Sequence, residues 1–531
     1  DKARHIKRRA VFCFYGELSF LWINDITPIK IASSKTLYKN LCSCCIGCKR
    51  YLVLVTKTLN FIDVIKTLGV GGITEEQNQV NLVVGDTGCD LLTAAVCKGQ
   101  KAVDGQTGGL GDLRTGTGGL TAQAYGRGDK AECAAIFYRA EGIALASAAL
   151  ILALQWFVVK LALAIVNATP EVEYLAARYF YIRVWAAPAT LSLMAIKGWL
   201  IGMQDGISPM LTDIVVNIVN IVLSIALALG IHIGGFEIAG MHFGGISYDG
   251  VGFIGVAIAT VIAQYSGFIL GLLLIFVKYR NIFSGHGLAD FFRAFRGPQV
   301  RLFFSMNLDL FIRSVCFIGI YIGFTAIAAT YGDLILATSS IMMQLMMLFS
   351  YITDGFAYAG EALVGRFVGE QNLWNLRLTS RFVTLWSFAV TFVFLAIYWF
   401  WGNPMLEIFT NDPTVLVCCQ YFLIWLQLMP LIGCAAFTWD GIFTGATCTA
   451  DMRNSMLMAT ALYFISYFAA NAIFNEGFFG AGTDSGIENS RRSGLLGLHL
   501  LLGAYCLHLV VRTIYLCFRY RRSVWGKITD R

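Results

Sequence analysis

Ten long runs of apolar residues alternate with shorter polar segments along this chain. A transmembrane helix needs about 20 apolar residues, whereas a transmembrane strand needs about 10 and alternates in polarity. Within lipid, every backbone polar group must find a partner inside the protein, which favours a helical bundle. We therefore predict an all-α polytopic membrane protein. The predicted spans lie near 135–166, 172–202, 210–232, 251–278, 303–330, 333–360, 380–401, 414–446, 455–475 and 495–518.

The second half of the chain repeats features of the first at an offset close to 240 residues. APATLSLMAIKGWLIGMQD (187–205) and MPLIGCAAFTWDGIFTGATCTAD (429–451) each carry a mid-span proline, then a GxxxG pair and a final acid. AQAYGRGD (122–129) also echoes GEALVGRFVGE (360–370), and this alignment sets Gln123 opposite Glu361. The matched spans are the second and the eighth predicted span and so lie six helices apart; we therefore predict two six-helix bundles related by a pseudo-twofold axis along the membrane normal, as in secondary transporters.

Two six-helix bundles make twelve helices, of which ten are clear and the first two are degenerate. The missing pair is expected near 55–80 and 88–118, where lysines and aspartates interrupt the apolar pattern. We therefore divide the chain into an atypical region (1–112) covering helices 1 and 2, the rest of the N-terminal lobe (113–285) and the C-terminal lobe (286–531).

Only 14% of the residues are charged and 57% are hydrophobic, with a mean hydropathy of +0.66. The net charge of +7 therefore does not indicate that the protein binds nucleic acid. Lysines and arginines gather in the loops of one side if the spans alternate, and Arg491 and Arg492 depart from this pattern. The positive-inside rule then makes that side, with the C-terminus, cytoplasmic.

Other motifs carry little chemistry. Most of the 15 cysteines read as small apolar residues, and the Cys42–Cys48 cluster lacks the second pair of ligands that a zinc site needs. The glycine-rich QTGGLGDLRTGTGG (106–119) lacks the lysine and the preceding strand of a nucleotide loop. We predict no metal site, and we expect His499 and His508 to pack in the core.

Several motifs together resemble one family. GTGGLTAQAYGRGD, GWLIGMQD, NLDLFIRS, SYITDGFAYAGEALVGR and FTWDGIFTG are similar to the DinF-type branch of the MATE (multidrug and toxic compound extrusion) transporters, from about residue 113 to 520. The resemblance implies twelve helices in two bundles around a central cleft, and export driven by H⁺ or Na⁺. Asp63 is the nearest candidate for the coupling aspartate of the family's first helix. Leu308 stands where the family tends to have a basic residue.

Acids within the spans are the candidate functional groups, because intramembrane charges are costly and mark substrate or ion pathways. Asp354 and Glu361 are two helical turns apart and share a face. They are predicted to bind a coupling ion or a cationic substrate. An alternative for Glu361 is a structural ion pair with Lys197 of the matched span.

Asp440 lies between Pro430 and the second GxxxG pair. The proline would free backbone carbonyls that join the carboxylate in ion binding. Trp439 is predicted to form an aromatic wall for an amphipathic cation. A capped polar residue at a kink is the alternative.

Two further sets of polar residues within the spans are candidates. Asp309 and Arg313 are four residues apart and are predicted to neutralise each other, as an edge pair or gate. Asp213, Asn217 and Asn220 form a polar stripe on an apolar helix. Interhelical hydrogen bonding is the alternative for the stripe.

We predict a secondary-active exporter of cationic or amphipathic small molecules that exchanges them for H⁺ or Na⁺ by alternating access. It would act as a monomer in the bacterial cytoplasmic (inner) membrane, in contact with lipid, without a cofactor and without nucleic acid. Alternatives are a flippase for a lipid-linked saccharide, an inactive or misread chain without intact helices 1 and 2, and a membrane-embedded transferase or hydrolase. An enzyme would need a clustered catalytic set that the sequence does not display.

Overall fold

The computed structural model describes only part of the chain. The described residues are 10–12, 21–23, 112–165, 170–229, 231–233, 236–238, 241–243, 246–248, 251, 253–283, 288–410, 412–477 and 486–529. The sites predicted at Asp63 and at the cysteine cluster lie outside them, as does the first missing helix.

The described chain is mainly helical. The first-half helices are α1 (Asp112–Arg127), α2 (Lys130–Ile165), α3 (Pro170–Arg183), α4 (Ala187–Gly202), α5 (Ile207–Leu229) and α6 (Phe253–Phe283). The second-half helices are α7 (Leu288–Ala294), α8 (Pro298–Ala329), α9 (Asp333–Gly369), α10 (Leu373–Phe409), α11 (Pro413–Tyr421), α12 (Leu423–Gly445), α13 (Thr449–Gly477), α14 (Gly486–Tyr520) and, after a π-helical turn (Arg521–Trp525), α15 (Gly526–Thr529).

Short strands complete the description. They are β1 (Ala10–Phe12), β2 (Leu21–Ile23), β3 (Ile231–Ile233), β4 (Phe236–Ile238), β5 (Met241–Phe243) and β6 (Ile246–Tyr248). β1 pairs with β2, and between α5 and α6 the outer pair β3–β6 and the inner pair β4–β5 are both antiparallel.

Ten stretches of the described helices are long and apolar enough to cross a membrane. They follow the ten predicted runs from Lys130 to Thr529, so the predicted all-α membrane fold is confirmed. Large apolar side chains on the outer faces remain exposed, with Phe400 72% and Phe518 83% exposed. Such an apolar exterior is stable only against lipid.

The polar segment before the first clear span is partly helical. Of the span predicted over 88–118, residues 88–111 lie outside the described residues; the described helix α1 runs from Asp112 to Arg127 and includes the second half (112–119) of the glycine-rich motif that resembled a nucleotide loop. Its glycines face other helices: a Cβ on Gly119 would lie 2.5 Å from the carbonyl oxygen of Thr444. Small residues let helix backbones approach closely, which explains why this polar segment packs at the centre of the molecule.

The predicted repeat is visible in helix packing. A Cβ on Gly198 of α4 would lie 2.2 Å from the carbonyl oxygen of Arg114 in α1, and a Cβ on Gly441 of α12 would lie 1.9 Å from that of Ala357 in α9. Both residues of the second contact stand 243 positions after those of the first (198 to 441, 114 to 357). The two GxxxG pairs therefore perform the same packing in the two bundles.

The repeat corrects two details of the sequence alignment. At the 243-residue offset, Gly118 rather than Gln123 is equivalent to Glu361 (118 to 361). The two prolines also differ, because Pro188 opens α4 after a 3₁₀ turn, whereas Pro430 lies inside α12. The sequence alignment matched similar residues without keeping a constant offset, and it was therefore shifted by several residues at Glu361.

The two bundles meet tightly at one end, which we name the closed end and define by Gly126, Gly369 and the residues they contact. A Cβ on Gly126 would lie 2.1 Å from the carbonyl oxygen of Arg366, and one on Gly369 would lie 2.2 Å from that of Gln123. The Gln123 side chain also crosses between the bundles and donates to the carbonyl oxygen of Gly445 at 3.0 Å. No side chain other than hydrogen fits these glycine positions without a shift of the backbone.

Candidate functional site

Asp440 of α12 lies between two arginines from other helices. Its Oδ2 accepts a hydrogen bond from Nη1 of Arg313 in α8 at 3.2 Å and from Nη2 of Arg512 in α14 at 2.5 Å. The Arg512 side chain is 4% exposed. One carboxylate oxygen therefore ties three helices of the C-terminal bundle together in a setting of low dielectric constant, where charges interact strongly.

Asp354 of α9 lies beside this cluster. Gly441 lets α12 pack closely on α9 at Ala357. Asp440 is the residue before Gly441, and Asp354 lies one helical turn before Ala357, so this contact brings the two acids near each other. Asp354 is half-buried and within electrostatic range of Asp440, Arg313 and Arg512. The structure thus unites the two acids that the sequence singled out separately, and it surrounds them with arginines.

Glu361 faces the other bundle. Its side chain is almost fully buried, and its Oε2 lies 3.6 Å from Nη1 of Arg114 in α1. The Arg114 guanidinium also lies 4.0 Å above the ring of Tyr358. Glu361 Oε1 occupies the space that a side chain on Gly118 would fill, and it makes no hydrogen bond within the described part of the protein. Glu361 and Arg114 therefore form a buried ion pair between the bundles.

Lys197 does not pair with Glu361, contrary to the alternative considered from the sequence. Its Nζ donates to Oδ1 of Asp213 in α5, within the N-terminal bundle. Of the polar stripe that begins at Asp213, Asn220 accepts a hydrogen bond from Thr260 of α6 at 3.2 Å, and Asn217 is half-buried. Thus the stripe joins helices at Asn220, as its alternative reading expected.

Asp309 and Arg313 do not neutralise each other, so that predicted pairing is wrong. The buried Asp309 accepts hydrogen bonds from Nη1 of Arg453 at 2.5 Å and from the hydroxyl of Thr449 at 3.0 Å, both at the start of α13. Spacing along one helix permitted the pair, but packing against α13 and α12 supplied each residue with a different partner.

Trp439 turns towards the closed end of the C-terminal bundle. Its ring centroid lies 4.7 Å from that of Tyr520 and 6.1 Å from that of Phe443. This aromatic group packs around the end of α14, so Trp439 supports α12 there. Pro430 lies ten residues before Asp440 on α12, or about 15 Å along the helix axis, so carbonyls freed at the proline lie too far from the carboxylate to share an ion with it.

Two site residues escaped the sequence reading. Arg512 lies within the last apolar run, where a charged residue of either sign is costly and indicates a functional site. Arg114 belongs to the glycine-rich segment that was set aside as a failed nucleotide loop. The signal that identifies both residues is the same: an arginine near or within a span is a candidate partner for an intramembrane acid.

Within the described chain, no group of histidines, cysteines and acids is placed to hold a metal ion.

Asp205 lies outside the spans and caps α5. Its Oδ1 accepts a hydrogen bond from the backbone N–H of Ser208 at 3.1 Å, and its Oδ2 lies 3.0 Å from Nζ of Lys278. Burial raises the pKa of Asp205, but hydrogen bonds from Ser208 and Lys278 outweigh it and hold the pKa below its ordinary value.

Comparison with known proteins bears on this architecture. A family model described as MatE matches residues 109–226 and 310–473. Over 351 residues the chain is 33% identical to DNA damage-inducible protein F of Escherichia coli K12, covering 66% of this chain and 72% of that protein. This chain belongs to the MATE transporter family. The resemblance to its DinF-type branch is confirmed.

More distant relatives of this MATE transporter include Protein DETOXIFICATION 43 of Arabidopsis thaliana, which is 25% identical over 306 residues, or 57% of this chain and 53% of that protein. The fold resembles a multidrug resistance MATE family transporter solved in an outward-facing conformation (TM-score 0.64, 17% identity, 82% of this chain and 89% of that chain). It also resembles a MOP superfamily transporter from Pyrococcus furiosus (TM-score 0.65, 18% identity, 82% and 88%).

Proposed function

We propose that this MATE transporter is a secondary-active exporter that exchanges amphipathic or cationic small molecules for H⁺ or Na⁺ by alternating access. The observation that carries the proposal is Asp440, a carboxylate within a membrane span, held between Arg313 and Arg512 with Asp354 beside it. Intramembrane acids at the centre of a bundle are typical of ion-coupled transport. A proton or Na⁺ on this pair of acids would change which charges the arginines balance.

The closed end supports the alternating-access part of the proposal. An ion can shift the balance between two conformations only if it binds them with different affinity. The pair between Arg114 and Glu361 spans the two bundles, so it exists only while they meet as described. Rocking of the bundles would separate two buried charges, and an ion bound to Glu361 would reduce that cost.

The cellular setting is proposed on the basis of the family and the basic loops. The closed end, with the helix ends that bear Lys278, Arg366 and Arg519, would face the cytoplasm of a bacterial cell, together with the C-terminus. The protein would work as a monomer in the inner membrane, without a cofactor beyond the coupling ion, without nucleic acid and without enzymatic activity.

A flippase for a lipid-linked saccharide is less well supported. Such a protein would need unbalanced basic residues to hold a pyrophosphate. Each arginine of the site contacts an acid here: Arg313 and Arg512 contact Asp440, and Arg114 contacts Glu361.

Efflux of the fluorescent cation ethidium from proteoliposomes tests the proposal. We expect efflux under an imposed pH or Na⁺ gradient, and its loss in Asp354→Asn and in Asp440→Asn. Unchanged efflux in both variants would refute the assignment of the coupling site. Absence of gradient-driven efflux by the wild type would refute the proposed exchange for this class of cation.

A further inference from the structure

The C-terminal bundle contains a buried histidine that the proposed coupling site does not use. His508 of α14 is fully buried, and neither ring nitrogen makes a hydrogen bond within the part of the chain that is described. A neutral imidazole carries one donor and one acceptor, and burying both without partners costs free energy. A buried polar group of this kind calls for an explanation beyond packing.

His508 lies one helical turn from the Asp440 cluster. Arg512 follows it by four residues on the same face of α14, within electrostatic range of the imidazole. Nη2 of Arg512 donates to Asp440, while its Nε makes no hydrogen bond among the described residues. The histidine therefore stands directly behind the arginine that holds the carboxylate.

Tyrosines continue from His508 in the direction away from Asp440. The Tyr505 ring, on the preceding turn, has its centroid 5.9 Å from that of the imidazole. Tyr463 of α13 is within electrostatic range of Tyr505. Its hydroxyl is buried and, like the imidazole, makes no hydrogen bond to the described chain. The phenol groups of Tyr463 and Tyr505 and the imidazole of His508 thus lie one after another inside an otherwise apolar core.

The same direction leads to the end of the bundle remote from the closed end. Tyr463, Tyr467 and Asn471 share one face of α13 over eight residues, or about 12 Å at the helical rise. The hydroxyls of Tyr467 and Tyr331 are 2.7 Å apart, and that of Tyr331 donates to Oδ1 of Asn471 at 3.3 Å. Tyr331 lies at the turn between α8 and α9 and is partly exposed. The polar groups therefore reach the surface of the bundle.

We propose that these residues form a proton path through the C-terminal bundle, with His508 as the relay to Asp440. The polar path comprises Tyr331, Tyr467, Tyr463, Tyr505 and His508. A proton binds one ring nitrogen of His508 while the other nitrogen releases its proton towards the Asp440 carboxylate. Arg512 keeps its own protons, because a guanidinium does not deprotonate in proteins.

This inference rests on the proposed exchange at Asp440, and it selects H⁺ as the coupling ion. Protons would enter from the end opposite the closed end without crossing the space between the bundles. The titratable and charged groups beside His508 are Tyr505 and Arg512 on its own helix. One step further lie Tyr463 of α13, beside Tyr505, and Asp440 of α12, which Arg512 contacts together with Arg313 of α8 and near Asp354 of α9. Among these groups, His508 alone carries its donor and its acceptor on two separate ring nitrogens, so that a proton taken up at one can be balanced by a proton released from the other.

The test is His508→Gln in proteoliposomes loaded with ethidium. We expect efflux driven by a pH gradient to fall at least about tenfold, as for loss of a proton-transfer group. Ethidium counterflow at equal pH, which moves no net proton, is expected to stay at the wild-type rate. His499→Gln is the matched control on the same helix, because His499 accepts a hydrogen bond from Trp425 at 2.9 Å and lies outside the path.

Equal loss of both activities would assign His508 a structural role and overturn the proposal, as would unchanged efflux. Tyr463→Phe removes one hydroxyl without changing shape, so it tests the path even if the histidine variant folds poorly. It is expected to slow gradient-driven efflux and to spare counterflow.

Proton uptake by the solubilised protein after a pH jump requires no substrate. We expect a phase that Asp440→Asn abolishes and His508→Gln slows. A phase of unchanged rate in His508→Gln refutes the path even if no ethidium is transported. Failure of ethidium efflux in the wild type refutes the proposed exchange alone.

Discussion

Nη2 of Arg512 donates to Oδ2 of Asp440 at 2.5 Å, and this bond joins the last long helix of the protein to the helix of the second GxxxG pair. Arg313 reaches the same oxygen at 3.2 Å. Any ion that neutralises Asp440 must therefore compete with two guanidinium groups. The balance between ion and arginines is what would distinguish one conformational state from the other.

The first prediction concerns the charge of Asp440. Asp440→Asn leaves Arg313 and Arg512 without their shared counter-charge, and breaking a buried pair costs about 3–5 kcal/mol. We expect a lower melting temperature in detergent together with loss of gradient-driven ethidium efflux. Glu407→Gln removes an exposed acid from α10 and is the control. A melting temperature equal to that of the control would show that the arginines do not depend on Asp440.

A second prediction concerns the ion pair between the bundles. In a double-mutant cycle of Arg114→Gln and Glu361→Gln, we expect a coupling energy of at least about 1 kcal/mol, because both partners are buried. The more exposed pair Arg366–Glu370, at 2.7 Å across the C-terminal end of α9, is the matched control and should couple by less than about 0.5 kcal/mol. Thermal unfolding in detergent measures both cycles. Equal coupling in the two cycles would contradict a buried tie between the bundles.

The third prediction concerns the closed end. Gly126→Ala adds a Cβ that would lie 2.1 Å from the carbonyl oxygen of Arg366, so the two bundles cannot meet as described. We expect lost ethidium efflux, and overpacking of this kind costs about 1–3 kcal/mol of stability. Gly369→Ala should act alike because it occupies the equivalent position. Gly319→Ala, with nothing within 4 Å of the added carbon, should leave both measurements unchanged.

Full efflux by Gly126→Ala would show that transport does not require this contact.

The ten spans could be predicted from composition, because a segment that crosses lipid must be apolar over about 20 residues whatever its neighbours are. The pairing of charges did not follow, since helical spacing is a local rule. Spacing favoured Asp309 with Arg313, but α13 offered Arg453 to the first and α12 offered Asp440 to the second. Partners far apart in sequence become visible only when the helices are packed.

The repeat illustrates the same limit. The GxxxG pairs were recognised because glycines that permit close packing stand at a constant offset in both halves. Gln123 was matched with Glu361 because the two side chains are similar, although their separation differs from the constant offset of the glycine pairs. The space beside Glu361 exists because Gly118 has no side chain, and an alignment that seeks similar residues passes over a glycine opposite an acid.

The last prediction uses Asp205, whose hydrogen bonds from Ser208 and Lys278 lower its pKa in the folded protein despite burial. A lowered folded-state pKa contributes stability that is fully present above the unfolded value, about 3.9, and is lost as the pH falls through the folded value. We compare Asp205→Asn with the wild type, because asparagine still caps a helix but carries no charge for Lys278. The difference in melting temperature should be constant at neutral and weakly acidic pH and should shrink below about pH 4. A difference that persists unchanged in acid would mean that Asp205 acts through its hydrogen-bonding geometry alone and that its charge adds nothing to the turn between α4 and α5.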